Sequence, residues 1–390
     1  MALGNWIIDR LPSSKRAVRQ AREEIDDLRR ENRELLDRLA RIEDSLGRIE
    51  GGVEGARADL AGRLDGLRDV AARQELLGWA CYRREGEGDR AARRRLFSGM
   101  PPAGDLSRLL QLGCDQLLED FDGLCERLGL RYWALSGTLL GAVRHGGFIP
   151  WDDDLDVGMM RGDIRLLRNA CAGTPFTVDE RVDPWVECRQ VRFRRRDADN
   201  PCFIDLFIHD WSVLDARAAY DARCDARAEV VESIEAHPAL GRSRAAWDAY
   251  ALDQDPADAA WLVDALDRAV AGQREAGEIC DGEGAASIVW SVDNLGGRFP
   301  RPAAFPVRDV FPCSTRAFGY GRVRVPADAA GMLHGIYGDY LQLPSDMASH
   351  FRHVPDQVLL QPEVRRAVSS TLSEARRVEF DAVLASWRDS

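Results

Sequence analysis

Residues 131–167 read RYWALSGTLLGAVRHGGFIPWDDDLDVGMMRGDIRLL. The first five residues are apolar and aromatic enough for a short strand. Ser136-Gly137 is a turn, 138–145 has helical spacing, and Gly146-Gly147 stops that helix. A second strand is expected over 155–159 and a second helix over 161–171. Between them stand four acids in five positions: Asp152, Asp153, Asp154 and Asp156. Asp154 and Asp156 are two apart at the mouth of a strand, so their side chains share a face. Adjacent carboxylates repel unless a cation lies between them. Oxygen-only donors of this kind suit Mg²⁺ or Mn²⁺.

A third carboxylate is expected on a neighbouring strand. Asp205 meets that need within FIDLFI, a strand over 203–208, where an acid flanked by apolar residues needs a metal or a cation. Upstream, Gly137 and Thr138 feed a helix N-terminus whose backbone N–H groups suit a phosphate. Arg144 and His145 at the end of that helix, Trp151 and Asp152 before the acid pair, and Arg161 after it are candidate substrate contacts. The ordered set predicts an α+β fold: a nucleotidyltransferase-like mixed sheet flanked by helices. Other readings of the acids are a helix-capping or solvated cluster, a DxD-type metal–nucleotide site of a glycosyltransferase, and a Ca²⁺ loop. The Ca²⁺ loop is disfavoured by Val157 and Asp163 standing where it needs Gly and Glu.

The chain has 390 residues, 45% of them hydrophobic, with a net charge of −12. That charge argues against a nucleic-acid partner. It leaves a phosphate-bearing substrate open, because a divalent cation inverts the local sign. Nine cysteines without a CxxC pair fit a reducing compartment. No stretch matches a signal peptide or the apolar length of a transmembrane segment. The expected location is the cytoplasm, with association at the inner membrane face as a variant. Trp6, Ile7, Ile8 and Leu11 are candidate membrane or partner contacts, or simply a helix end.

N-terminal to this region runs a heptad pattern. Val18, Ile25, Asn32, Leu39, Leu46, Val53 and Leu60 fill one seam position; Ala21, Leu28, Leu35, Ile42, Ile49 and Ala56 fill the other. Residues 1–82 are therefore expected to form a coiled coil that makes a homo-oligomer, with Asn32 fixing register; the other reading is a single long solvated helix or an intramolecular hairpin. Gly47, Gly51, Gly52, Gly55, Gly62 and Gly66 are expected to fray its distal half. Residues 83–105 read as a linker, and 106–390 as the catalytic domain. Within that domain a helix from Leu106 closes at Gly129, and an Ala-, Arg- and Asp-rich helical insertion covers about 211–285. Strands are expected over 186–193, 287–291, 311–318 and 322–325, helices over 328–337 and 362–387. His350 and His353 read as surface residues, with a substrate contact as the other reading.

Three stretches resemble the LicD family: SGTLLGAVRHGGFIPWDDDLDVGMMRGD at 136–163, FIDLFIHD at 203–210 and FGYGRVRVPADAAGMLHGIYGDYLQLP at 318–344. The resemblance implies a phosphotransferase that moves a phosphorylated alcohol from a CDP-alcohol donor to a hydroxyl of a glycan or glycolipid acceptor, releasing CMP. It implies that Asp154, Asp156 and Asp205 are the metal-binding and catalytic acids, and that Gly137, Thr138, Arg144 and His145 match the family's Gly-Thr turn and Arg-His pair. The heptad arm and the helical insertion depart from the short bacterial core. Alternative functions are a nucleotidyltransferase that leaves the nucleotide on its product, a metal-dependent glycosyltransferase, and a coiled-coil scaffold with a vestigial catalytic domain.

Overall fold

The structure, a computed structural model, describes residues 12–104, 106–247, 254, 256–294, 303–343 and 353–388. Trp6, Ile7, Ile8, Leu11 and His350 lie outside the described residues. The chain divides after Gly86 into two units.

The first unit is dominated by helix α1, Pro12–Tyr82, 71 residues long. At about 1.5 Å per residue it is a rod of roughly 100 Å. The glycines do not interrupt it: the helix is continuous to Tyr82. Seam residues Ile25, Leu28, Leu35, Leu39, Val53 and Leu60 are each 47–63% exposed. Apolar residues this open on a helix are a face without a partner in the single chain.

The second unit is a mixed α+β domain. Residues 83–105, expected to be a linker, contain helix α2 (Asp89–Ser98), which buries Ala92 and Phe97. Helix α3 (Leu106–Leu128) turns Leu106, Leu109, Leu110, Leu117, Leu118 and Phe121 inward at helical spacing, and Gly129 ends it at φ 65°. The sheet is built from β1 (Tyr132–Ala134), β2 (Asp156–Met160), β3 (Phe176–Asp183), β4 (Cys188–Arg195), β5 (Phe203–Ser212), β6 (Ser287–Trp290) and β7 (Ala304–Pro306). Its order is β1-β2-β5-β4-β3, with β6 on the second half of β5 and β7 beyond it. Among the described residues only β2 and β5 run parallel, with Asp156 opposite Asp205. Strands β3 and β7 were not foreseen. β3 pairs with β4, and its FTVDERVD sequence, mostly half-open with Val178, Arg181 and Val182 buried, lacks the apolar run of a central strand.

Helix α4 (Ser136–Arg144) crosses from β1 toward β2, and α5 (Arg161–Ala170) follows β2. The insertion is three helices, α6 (Ala216–Glu235), α7 (Leu240–Ala246) and α8 (Pro256–Glu275). They have their own core of Val230, Ile234, Leu240, Leu262 and Leu266, closed against Val182 and Val292. Arg227 is fully buried there and donates to the carbonyls of Val186 and Glu187 at 2.7 and 2.6 Å. A hairpin, β8 (Ser314–Phe318) and β9 (Gly321–Val325), precedes α9 (Ala329–Tyr337).

The C-terminal region, expected to be one helix, is two: α10 (Pro362–Thr371) and α11 (Glu374–Arg388). The break has a cause. Leu372 turns extended and the Ser373 N–H donates to Gln116 on α3 at 2.9 Å. That turn aims Arg376 at Asp115, whose Oδ2 accepts from its Nε at 2.9 Å, with both side chains under 5% exposed. Removing one member of a buried pair strands the other charge. Arg376→Ala is expected to lower stability by about 3–5 kcal/mol, and pairing Arg376→Met with Asp115→Leu to recover most of it. Urea denaturation of the three proteins measures both.

Candidate active site

The turn between β1 and α4 is tight. Ser136 sits at φ 43°, in the left-handed region, directly before Gly137. A Cβ on Gly137 would come 2.5 Å from Asp152 Oδ2, so only glycine lets the acid segment approach. Thr138 Oγ1 accepts from the Asp156 N–H at 2.7 Å, and the Leu135 N–H donates to the Asp156 carbonyl at 3.0 Å. The Gly-Thr turn therefore braces the acid strand. On the other side, the Asp205 N–H donates to Leu155 at 2.8 Å and locks β5 beside β2.

This bracing gathers three carboxylates from positions 154, 156 and 205, each able to place an oxygen within 4.8 Å of the others. The Asp154 carboxyl is pushed well above the usual range by burial and by Asp152 and Asp205, against the pull of His353. Asp156 is pushed up as well, by burial and then by Asp154, Asp205 and Asp152, with partial relief from the Gly137 N–H. Mutual repulsion with hard oxygen donors on one face is the electrostatic setting that a small divalent cation relieves. The donor set fits Mg²⁺ or Mn²⁺ in number and type.

The other residues singled out in the sequence sit as follows. Arg144 is buried, donates to the Tyr340 carbonyl at 3.2 Å and lies 4.1 Å over the Phe97 ring. Burial lowers its pKa to about 10. His145 faces Phe97 edge-on at 5.5 Å and Trp151 at 6.3 Å, and burial followed by Arg144 pushes it down to about 3. Trp151 is half-buried, while Asp152 is buried and its backbone carbonyl accepts from Gln111 at 2.8 Å. Arg161 is elsewhere. It follows the far end of β2 and is bound by Asp210 at 2.7 and 2.8 Å and by Asp293 at 3.0 Å. Its guanidinium closes a structural ion network away from the three acids.

Two residues outside the site set drawn from the sequence reach the acids. Arg192 on β4 donates from Nε to Asp205 Oδ1 at 2.9 Å. Its position on a strand beside FIDLFI was the available signal. His353, expected on the surface or at a substrate, is half-buried. Asp153 accepts from the His353 N–H at 2.8 Å, the Val354 N–H at 3.1 Å and His353 Nδ1 at 3.0 Å. The ring then presents Nε2 to Asp154 Oδ2 at 3.4 Å. Burial opposes its charge, yet the Asp153 bond and the charges of Asp154 and Asp153 raise its pKa to about 9. The contact spans 200 residues, and no local pattern announces it.

Residues 129–226 match the family described as LicD/FKTN/FKRP, nucleotidyltransferase domain. The chain carries a LicD-family domain. The lipopolysaccharide cholinephosphotransferase LicD of Haemophilus influenzae is 34% identical over 113 residues, covering 26% of this chain and 43% of that protein. The ribitol 5-phosphate transferase FKRP of Homo sapiens is 45% identical over 90 residues, 22% of this chain and 18% of that protein. Its counterpart in Mus musculus is 41% identical over the same length. The chain thus spans less than half the length of the curated relatives it matches. The LicD match contains Asp154, Asp156, Asp205 and Arg192 but ends well before His353.

Because burial depresses the His145 pKa below its unfolded value of about 6.5, neutral His145 contributes stability that is complete above that pH. The contribution is lost as pH falls from about 6.5 toward about 3. His145→Phe keeps the aromatic contacts and removes the proton uptake. Its stability is expected to fall less steeply than that of the parent between pH 6.5 and 4, by up to about 1.4 kcal/mol per pH unit in parallel urea titrations.

Proposed function

We propose that this chain is a divalent-cation-dependent phosphotransferase that moves a phosphorylated alcohol from a CDP-linked donor to a hydroxyl of a glycan or glycolipid, releasing CMP. The observation that carries the reading is the gathering of Asp154, Asp156 and Asp205 at one end of two parallel strands. The names of the LicD and FKRP relatives, a cholinephosphotransferase and a ribitol 5-phosphate transferase, support a substituted phosphate as the transferred group.

Asp154 and Asp156 would hold Mg²⁺ or Mn²⁺, with Asp205 completing the set. When bound, the cation supplies neutralisation of the donor diphosphate and of charge building up in the transition state. Asp205 is the first candidate for general base: it receives the proton of the acceptor hydroxyl as that oxygen forms its bond to phosphorus. The bond from phosphorus to the bridging oxygen breaks in line, and that oxygen departs with CMP. Gly137 and Thr138 act by fixing Asp156. Asp152 lies against Gly137 in the turn that positions the acids, while Arg144 and His145 pack on Phe97 and Trp151 on His145. Arg161 is left out of the phosphate contacts because Asp210 and Asp293 hold it. A nucleotidyltransferase reading differs in which half of the donor stays on the acceptor. Mass analysis of the product from an isotopically labelled CDP-alcohol separates the two.

Helix α1 is proposed to join two or more copies through its seam. Among the described residues, no helix is long and apolar enough to cross a membrane.

Asp154→Asn is expected to cut transfer on the order of 10²-fold or more. At pH 7 the same change removes a repelled charge, so the metal-free protein is expected to melt at a higher temperature than the parent. Near-normal turnover in this variant refutes the metal role. Deleting residues 1–86 is expected to reduce the mass found by light scattering to that of one copy of the remaining chain. An unchanged stoichiometry refutes association through α1.

A further inference from the structure

The proposed reaction brings a diphosphate, itself negative, to a cluster of acids. Cations must meet it there, and the arginines suggested by sequence position are engaged elsewhere: Arg144 with Tyr340 and Phe97, Arg161 with Asp210 and Asp293. Two other nitrogen-bearing side chains do face the three acids. Arg192 lies on Asp205 at 2.9 Å, and His353 lies on Asp154 at 3.4 Å. Both pack around one ring, that of Phe203: the Arg192 guanidinium is 4.0 Å above it and the His353 ring meets it edge-on at 6.0 Å. The pair is thus built as a unit, one member from β4 and the other from the segment before residues 356–359.

We propose that Arg192 and His353 form the clamp for the diphosphate of the donor, a nucleoside diphosphate-linked alcohol. The inference rests on the phosphotransferase reading above. In the chain alone the two residues hold the acids that the cation will take. With a divalent cation held by Asp154 and Asp205, the Arg192 guanidinium and the His353 Nε2 edge would face the phosphate oxygens. Arg192 is suited to this. Its bond to Asp205 occupies only the Nε–H, the terminal nitrogens complete a planar fork matched to phosphate, and its side chain is 20% exposed at the pocket. His353 is suited because Asp153 fixes its ring through Nδ1 and through two backbone N–H groups of the same segment. Only Nε2 is left to face the reacting groups. Asp153 is on this account a positioning residue.

The test is calorimetric titration of the full chain, first with Mn²⁺ alone and then with CDP in saturating Mn²⁺, for the parent and for Arg192→Gln and His353→Gln. Both variants keep a hydrogen-bond donor near their aspartate. They are expected to bind Mn²⁺ at least as tightly as the parent and CDP about tenfold or more weakly, with Arg192→Lys intermediate. In transfer assays KM for the CDP-alcohol is expected to rise more than kcat falls. Parent-like CDP affinity in both variants overturns the clamp while leaving the phosphotransferase reading in place. Equal loss of Mn²⁺ binding also overturns it, since the residues would then be shaping the metal site. Absence of CDP binding by the parent overturns the clamp and the CDP-donor reading together. If one variant fails to fold, as judged by its melting transition, the other carries the same comparison.

Discussion

Three carboxylates confined to one end of two neighbouring strands repel one another, and the domain is arranged to hold them there. The parallel register of β2 and β5 sets Asp156 opposite Asp205, and one residue of slip would move Asp205 to the other face of the sheet. Thr138 and Leu135 fix the backbone of Asp156, and Leu155 fixes that of Asp205. The raised pKa values of Asp154 and Asp156 record the strain of this arrangement. Such a cluster survives only because strands, turns and helices around it are anchored independently.

Much of that anchoring is ionic. Asp293 is fully buried between Arg161 and Arg189, and Asp115 is buried against Arg376. Lys15 is the only lysine in the sequence, so these cations are arginines. The guanidinium suits the task, because its fork satisfies two carboxylates at once and it stays charged when enclosed. The same chemistry explains why an arginine beside the acid motif is a poor guide to substrate contact. Arg161 adjoins the motif in sequence and serves the fold.

The central segment was legible from sequence because its signals are local. Alternation and turn residues place β1, α4, β2 and α5 within one or two residues of their observed bounds, and the pairing of Asp154 and Asp156 follows from strand periodicity. Asp205 could be named because a lone acid in an apolar run needs a partner. What escaped depends on tertiary closure. Phe97 is buried by the approach of α2 to Arg144, which turns part of a supposed linker into packed structure. β3 has a polar edge-strand pattern, the break at Leu372 is made by Gln116 on another helix, and His353 is brought in by an aspartate 200 residues away. None of these causes is written within a window of neighbouring residues.

The hold of Asp153 on residues 353 and 354 also bears on how the protein is made. Synthesis runs from the N-terminus, and the sheet up to β6 is complete while residue 353 is still to be added. Until then the Asp153 carboxylate lacks the two backbone donors and the imidazole that compensate its burial. A chain cut short before that point would leave the Asp153 carboxylate without the segment that closes over it. The acid cluster is therefore closed late, by a segment made 200 residues after the aspartate that anchors it.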